Sequence, residues 1–365
     1  MTLIWFCLLV FMLGGYVVLG GTDLGVGMLS LLIARNEEER SQVIHAIRPA
    51  WKPNEVWLLA AGGTMFLAFP TALAASFSGF YLALTIVVWL LAFRGLGLEL
   101  RHHINDPLWR QFWDVALSLS SFLLALFFGT ALGNVVRGVP LDGQGIFFEP
   151  LWTNFRVGQQ TGILDWYTVL AGLTAVFALA HHGTCWLEAR TNGPVCQRAA
   201  RLAIPFCITT FVLLLFLDLA SFAARLQFRD ALRARPWGLL FPTLTLAGLA
   251  ASLIWGSHRK RGLAYLSSCV ALFAALATAA VGIFPNILPA RDPNFALSIY
   301  DSTVSPHNLA VALWWWIPGV LLVIGYFAFI HTNTGNQTTD QDKASISGAT
   351  ARSKDDRAST TIAHG

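Results

Sequence analysis

The sequence predicts an all-α polytopic membrane protein with about nine transmembrane helices. Three observations predict it. Of the 365 residues, 55% are hydrophobic and only 12% are charged, where a soluble domain carries roughly 25%. The mean hydropathy is +0.59. The chain also resolves into nine apolar runs joined by short linkers, and each run is close to the roughly 20 residues that cross a bilayer.

The runs lie at about 3–33, 55–74, 77–99, 112–134, 164–187, 200–221, 238–256, 262–284 and 309–331. The first lacks a basic leader segment and continues past signal length, so it reads as a span. Gly20, Gly21, Gly25 and Gly27 are expected to tilt or break it. The longest linkers, 135–163 and 285–308, are rich in Gly, Pro and Asn. The first eight spans fall into two halves of four. Gly21-Thr22-Asp23 and Gly183-Thr184-Cys185 occupy comparable places near the ends of spans 1 and 5. After His331 the chain is rich in Ser, Thr, Asp, Gln and Lys, so 332–365 is expected to be a disordered tail.

Of the 24 lysines and arginines, 17 lie on the side reached after spans 1, 3, 5, 7 and 9. Positive loops stay in the cytoplasm, which puts the N-terminus in the periplasm and the C-terminus inside. The loop 222–237, with Arg225, Arg229, Arg233 and Arg235, runs against that majority. The net charge of +4 belongs to these orienting loops rather than to a nucleic-acid surface. The five cysteines form no CxxC pair and read as small buried hydrophobes. No zinc, iron–sulfur or other metal spacing, Walker motif or nucleophile elbow is present. His181 and His182 are adjacent in span 5 and point about 100° apart on a helix, so both cannot face one iron. Packing or hydrogen bonding is their expected role.

Ionisable groups at a membrane boundary are costly and mark function, and here they gather on one side. Asp23 lies in the inner part of span 1 and Glu55 opens span 2. Arg94 and Glu99 end span 3, and Asp114 opens span 4. Lys52 and Asn54 flank Glu55, between the amphipathic rings of Trp51 and Trp57. Gly62 and Gly63 leave room for close approach of another helix. Glu99 and His103 are four apart and share a helical face. Two readings stay open: a proton relay through Glu99, His103 and Asp114 along one cleft, or paired charges that close helix ends. At the level of function, a stand-alone ion-coupled secondary transporter is the alternative.

The segments Gly21–Leu29, Arg35–Arg40, Trp51 with Asn54-Glu55-Val56-Trp57, Ala61-Gly62-Gly63, Phe93-Arg94 and Trp109–Asp114 resemble subunit II of the cytochrome bd quinol oxidases. The second half matches mainly at Phe284-Pro285 and in the turn from Ser302 to Leu309. Lys52-Pro53 departs from the acid-glycine pair common in the family. Glu99 stands where many members have aspartate, and His103 where some have lysine. The resemblance implies two four-helix bundles, 1–134 and 164–284, with the loop 135–163 between them. The segment 285–331 would supply a further loop and a peripheral ninth helix. It implies an inner-membrane quinol:dioxygen oxidoreductase whose haems b and d belong to a partner, subunit I, with this chain binding no cofactor alone. It leaves room for a structural quinone and a small single-span subunit. Subunit II would stabilise its partner and contribute polar residues to a proton route.

Overall fold

The computed structural model describes residues 1–158, 162–224, 233–323 and 325. Arg225, Arg229, the end of the ninth predicted span and the tail 332–365 lie outside them. Helices dominate: α1 (Thr2–Ile33), α2 (Glu37–His45), α3 (Trp51–Ala68), α4 (Pro70–Gly79), α5 (Tyr81–Leu100), α6 (Pro107–Arg137), α7 (Trp166–Arg190), α8 (Gly193–Ala224), α9 (Leu240–Ser257) and α10 (Arg261–Ile283). A further apolar helix, α11 (Pro306–Val323), exposes Trp314 and Trp315. Among the described residues eight helices are long and apolar enough to cross a membrane, or nine when the bent pair α3–α4 counts as one span.

That bend corrects the predicted span 55–74. α3 stops at Ala68 and α4 leaves at 118°. The cause is local. Pro70 cannot donate to the helical ladder and disfavours the α conformation in the residue before it, and Phe69 sits at φ −134°, ψ 55°. The buried Phe69 ring then anchors the corner.

The glycines of α1 do not break it; the helix is continuous from Thr2 to Ile33. They set crossings instead. A Cβ on Gly183 would lie 2.5 Å from the backbone carbon of Gly25, and one on Gly25 would strike the Leu179 carbonyl. The α1 and α7 backbones therefore touch, as small residues allow in membranes. Gly172 meets α6 in the same way, 2.9 Å from the Leu126 carbonyl. α1 packs on α3, α6, α7 and α10, α5 packs on α6, and α8 and α10 flank α7. The expected crowding at Gly62 and Gly63 is absent within the chain: no described atom lies within 4 Å of a Cβ at either.

The long linkers are not open loops. Asn286–Leu288 pairs antiparallel with Leu297–Ser298. The Val139 N–H donates to the Pro289 carbonyl and the Arg291 N–H to the Val139 carbonyl, at 2.9 and 3.0 Å. Val139, Leu141, Phe147, Ile163, Leu288 and Ala290 share an apolar cluster with Ala75 and Phe80. The two linkers thus form one packed cap over the α4–α5 corner.

Candidate functional site

The predicted polar residues separate into two groups at the end of the helices that carries α2. The first is a ladder between α3 and α5. Its outermost rung is Lys52–Glu99, 3.0 Å apart, with side chains 66% and 37% exposed. The next is Glu55, 21% exposed, in an ion pair with Arg94. The innermost joins Arg94 Nη2 to Asp23 Oδ2 at 3.5 Å, both side chains 1% exposed. Asn54 Nδ2 donates to the same Asp23 oxygen at 3.0 Å and to the Leu19 carbonyl at 3.2 Å. Lys52 and Glu55 are three apart on α3, so helical spacing stacks their rungs. Trp51 edges past Gly95 on α5, and the Trp57 indole N–H is buried without a partner beside α1. The ladder runs from water to the protein interior in three steps.

The second group is centred on α2. Asn36 caps this helix by accepting from the Glu39 N–H, a standard use of Asn before an acidic first turn. Asp114 is fully buried. It accepts from Arg101 Nε at 2.6 Å and pairs with Arg40 at 3.1 Å. Glu37 reaches Arg101 at 2.8 Å and Arg110 at 3.6 Å. Glu39 pairs with Arg198 on α8. Hydrogen bonds from Arg198 and from the Arg35 N–H hold the Glu39 carboxyl below the usual carboxylate range. One short helix therefore ties α5, α6 and α8 together.

The structure does not assemble the Glu99–His103–Asp114 cleft. Glu99 turns to Lys52, and His103 Nδ1 lies 3.3 Å from the Glu99 backbone carbonyl rather than its carboxylate. His103 is exposed and Glu99 half-buried, whereas Asp114 is held by Arg40 of α2 and by Arg101 at the end of α5. Sharing a helical face did not suffice, because Lys52 offers Glu99 a closer opposite charge.

Two polar features went unread in the sequence, and a third, the hydrogen bonding expected of His181 and His182, has partners the sequence did not name. The cap end holds Arg137, buried and paired with both Glu149 and Asp165. Asp165 also caps α7 in a reciprocal box with Thr168, a pattern visible in Asp165-Trp166-Tyr167-Thr168. The Arg291 guanidinium nitrogens lie buried nearby with no hydrogen-bond partner. Burial, with the charge of Arg137, pushes its pKa down to about 10. The third feature crosses α1, α7 and α10. His182 Nε2 lies 2.9 Å from Thr22 Oγ1 and 3.0 Å from the Val18 carbonyl, and its Nδ1 is 2.7 Å from Ser268 Oγ. Thr22 also meets the Tyr265 hydroxyl at 2.9 Å. His181 is bonded on both nitrogens, to Ala203 O and Ser252 Oγ.

Comparison with known proteins fixes the family. The description "Cytochrome bd terminal oxidase subunit II" matches residues 1–333. This chain belongs to the cytochrome bd terminal oxidase subunit II family. Among its relatives is a probable cytochrome oxidase subunit 2 of Haemophilus influenzae, 30% identical over 88% of this chain and 91% of the relative. The cytochrome bd-I ubiquinol oxidase subunit 2 of Escherichia coli is 29% identical over 93% and 95%. The cytochrome bd ubiquinol oxidase subunit 2 of Bacillus subtilis is 27% identical over 83% and 85%. A chain of the bd oxidase structure from Geobacillus thermodenitrificans shares the fold, with a TM-score of 0.71 and 17% identity over 90% of this chain and 97% of that one. Family membership places the chain in the membrane as part of a complex.

Proposed function

We propose that this chain is subunit II of a quinol:dioxygen oxidoreductase of the bacterial inner membrane, which stabilises a haem-bearing subunit I and leads protons towards it. The observation that carries the reading is the relation to ubiquinol oxidase second subunits along nearly the whole chain. The transporter alternative has no such support. The excess of positive charge on the α2 side supports a cytoplasmic α2 and a periplasmic N-terminus.

The haems b and d of such a complex would sit on the partner. Both ring nitrogens of His181 and of His182 are engaged, so neither histidine fits axial ligation. A structural quinone and a small single-span subunit remain further components of the proposal.

This chain's own part in proton transfer is the ladder. The Lys52–Glu99 pair forms the entrance rung at the surface. Glu55 is the first partly buried carboxylate behind them, and Asp23 the last, with Arg94 compensating both charges. His103 acts at the entrance as a surface base. The test is oxygen consumption per haem across pH. Glu99→Gln keeps the shape and removes the titration; it is expected to slow quinol oxidation with haem content retained. His103→Ala is expected to be milder, because bulk water replaces a surface relay. Wild-type turnover of Glu99→Gln at every pH would favour the purely structural reading of these charges.

A further inference from the structure

At the α2 end of the molecule six cations are met by carboxylates: Arg40, Lys52, Arg94, Arg101, Arg110 and Arg198. Among the described residues, exposed Arg35 and Arg48 there have no such ion pair, and the neighbouring ends of α7, α9 and α10 add four more cations of that kind. Arg190 closes α7, and Arg259, Lys260 and Arg261 make the turn from α9 into α10. The first three are exposed and Arg261 is partly buried. Among the described residues no ion pair within 4.0 Å engages any of the four. Glu188 feels the charge of Arg261, and Glu38 of α2 borders a surface cleft with Arg190.

Two of these cations rest on indole rings. The Arg190 guanidinium lies 4.8 Å from the Trp186 ring centre, and Lys260 Nζ lies 4.9 Å from that of Trp255. Tryptophan with Arg or Lys at one height marks the headgroup layer, and the ring contact fixes where the charge is presented. The turn supplies a second observation. Arg259 has φ +58°, a left-handed conformation that favours glycine over any residue with a Cβ. The turn is closed by the Arg259 N–H on the Gly256 carbonyl and the Lys260 N–H on the Trp255 carbonyl, both 2.9 Å. A strained arginine where glycine would fit argues for use of its side chain.

We propose that this edge binds the phosphate headgroups of anionic phospholipids. Four cations with no ion-pair partner complement phosphate charge, and Trp186 and Trp255 fix where two of them, Arg190 and Lys260, are presented. The inference does not rest on the proton ladder.

The test uses the purified complex in nanodiscs of phosphatidylcholine with increasing phosphatidylglycerol, with bound lipid counted by native mass spectrometry. Wild type should retain phosphatidylglycerol and gain melting temperature as its fraction rises. The double variant Arg190→Gln/Lys260→Gln should lose roughly tenfold or more of that binding, given the attraction each basic residue contributes near an anionic surface. Arg259→Gly relieves the backbone. It should be as stable as wild type in phosphatidylcholine and gain less from phosphatidylglycerol. Lys260→Arg should behave as wild type. Unchanged lipid retention in the double variant would overturn the proposal. So would equal stabilisation of wild type by inorganic phosphate, which would indicate a free-anion site, or an acidic protein co-purifying in place of lipid.

Discussion

Arg94 is a buried cation that answers two carboxylates at once, Asp23 and Glu55, and this asymmetry orders the effects of substitution. Asp23→Asn leaves Arg94 its pairing with Glu55. Arg94→Leu leaves both acids uncompensated, and an unpaired charge in such surroundings costs about 3–5 kcal/mol. Arg94→Leu should therefore lower the yield of assembled complex more than Asp23→Asn, measured as haem absorbance per milligram of membrane protein. Equal, normal yields would remove the structural role of the pair. Glu39 makes a pH-dependent prediction. Its folded carboxyl lies below its unfolded value because Arg198 and the Arg35 N–H stabilise the anion. The tie between α2 and α8 is then fully present above the ordinary carboxylate pKa of about 4.3. It is lost as the pH falls through the lower folded value. The protection factors of the α2 amides, taken relative to intrinsic exchange at each pH, should fall on acidification in wild type, and Arg198→Gln should show that lower protection already at neutral pH.

Helix contacts turn on a few missing side chains. Gly183→Ala would put a Cβ against the Gly25 backbone, and overpacking of this kind costs about 1–3 kcal/mol. Its melting temperature in the purified complex should fall, whereas Gly62→Ala, with open space around it, should leave the chain's own packing unaffected. Composition and apolar run length made the spans legible, and span 2 failed only where Pro70 overrode hydropathy. The ladder was partly legible: Asp23, Glu55 and Arg94 stood out as charges inside apolar runs, but the Lys52–Glu99 rung required the approach of α3 to α5. The α2 clasp and the Arg137 cluster were hidden because acids in polar linkers look solvated until a fold buries them. Asp165 was the exception, since its capping box is written locally. Thr22, His182 and Tyr265 lie too far apart in sequence for any periodicity to join them.

For the whole molecule, that last triad has a consequence in the order of synthesis. α1 is made before α7 and α10, yet the Thr22 hydroxyl meets partners 160 and 243 residues later. Until α10 emerges, the face of α1 that Tyr265 meets has no final occupant, and the Thr22 hydroxyl is held by the Val18 carbonyl of its own helix and then by His182 of α7. α1 therefore waits in the bilayer for its last partner until α10 is made. Chains truncated before Tyr265 should be degraded as orphans even though every span of the first half is complete, and a pulse-chase comparison of truncations ending before and after α10 would reveal a step in lifetime there.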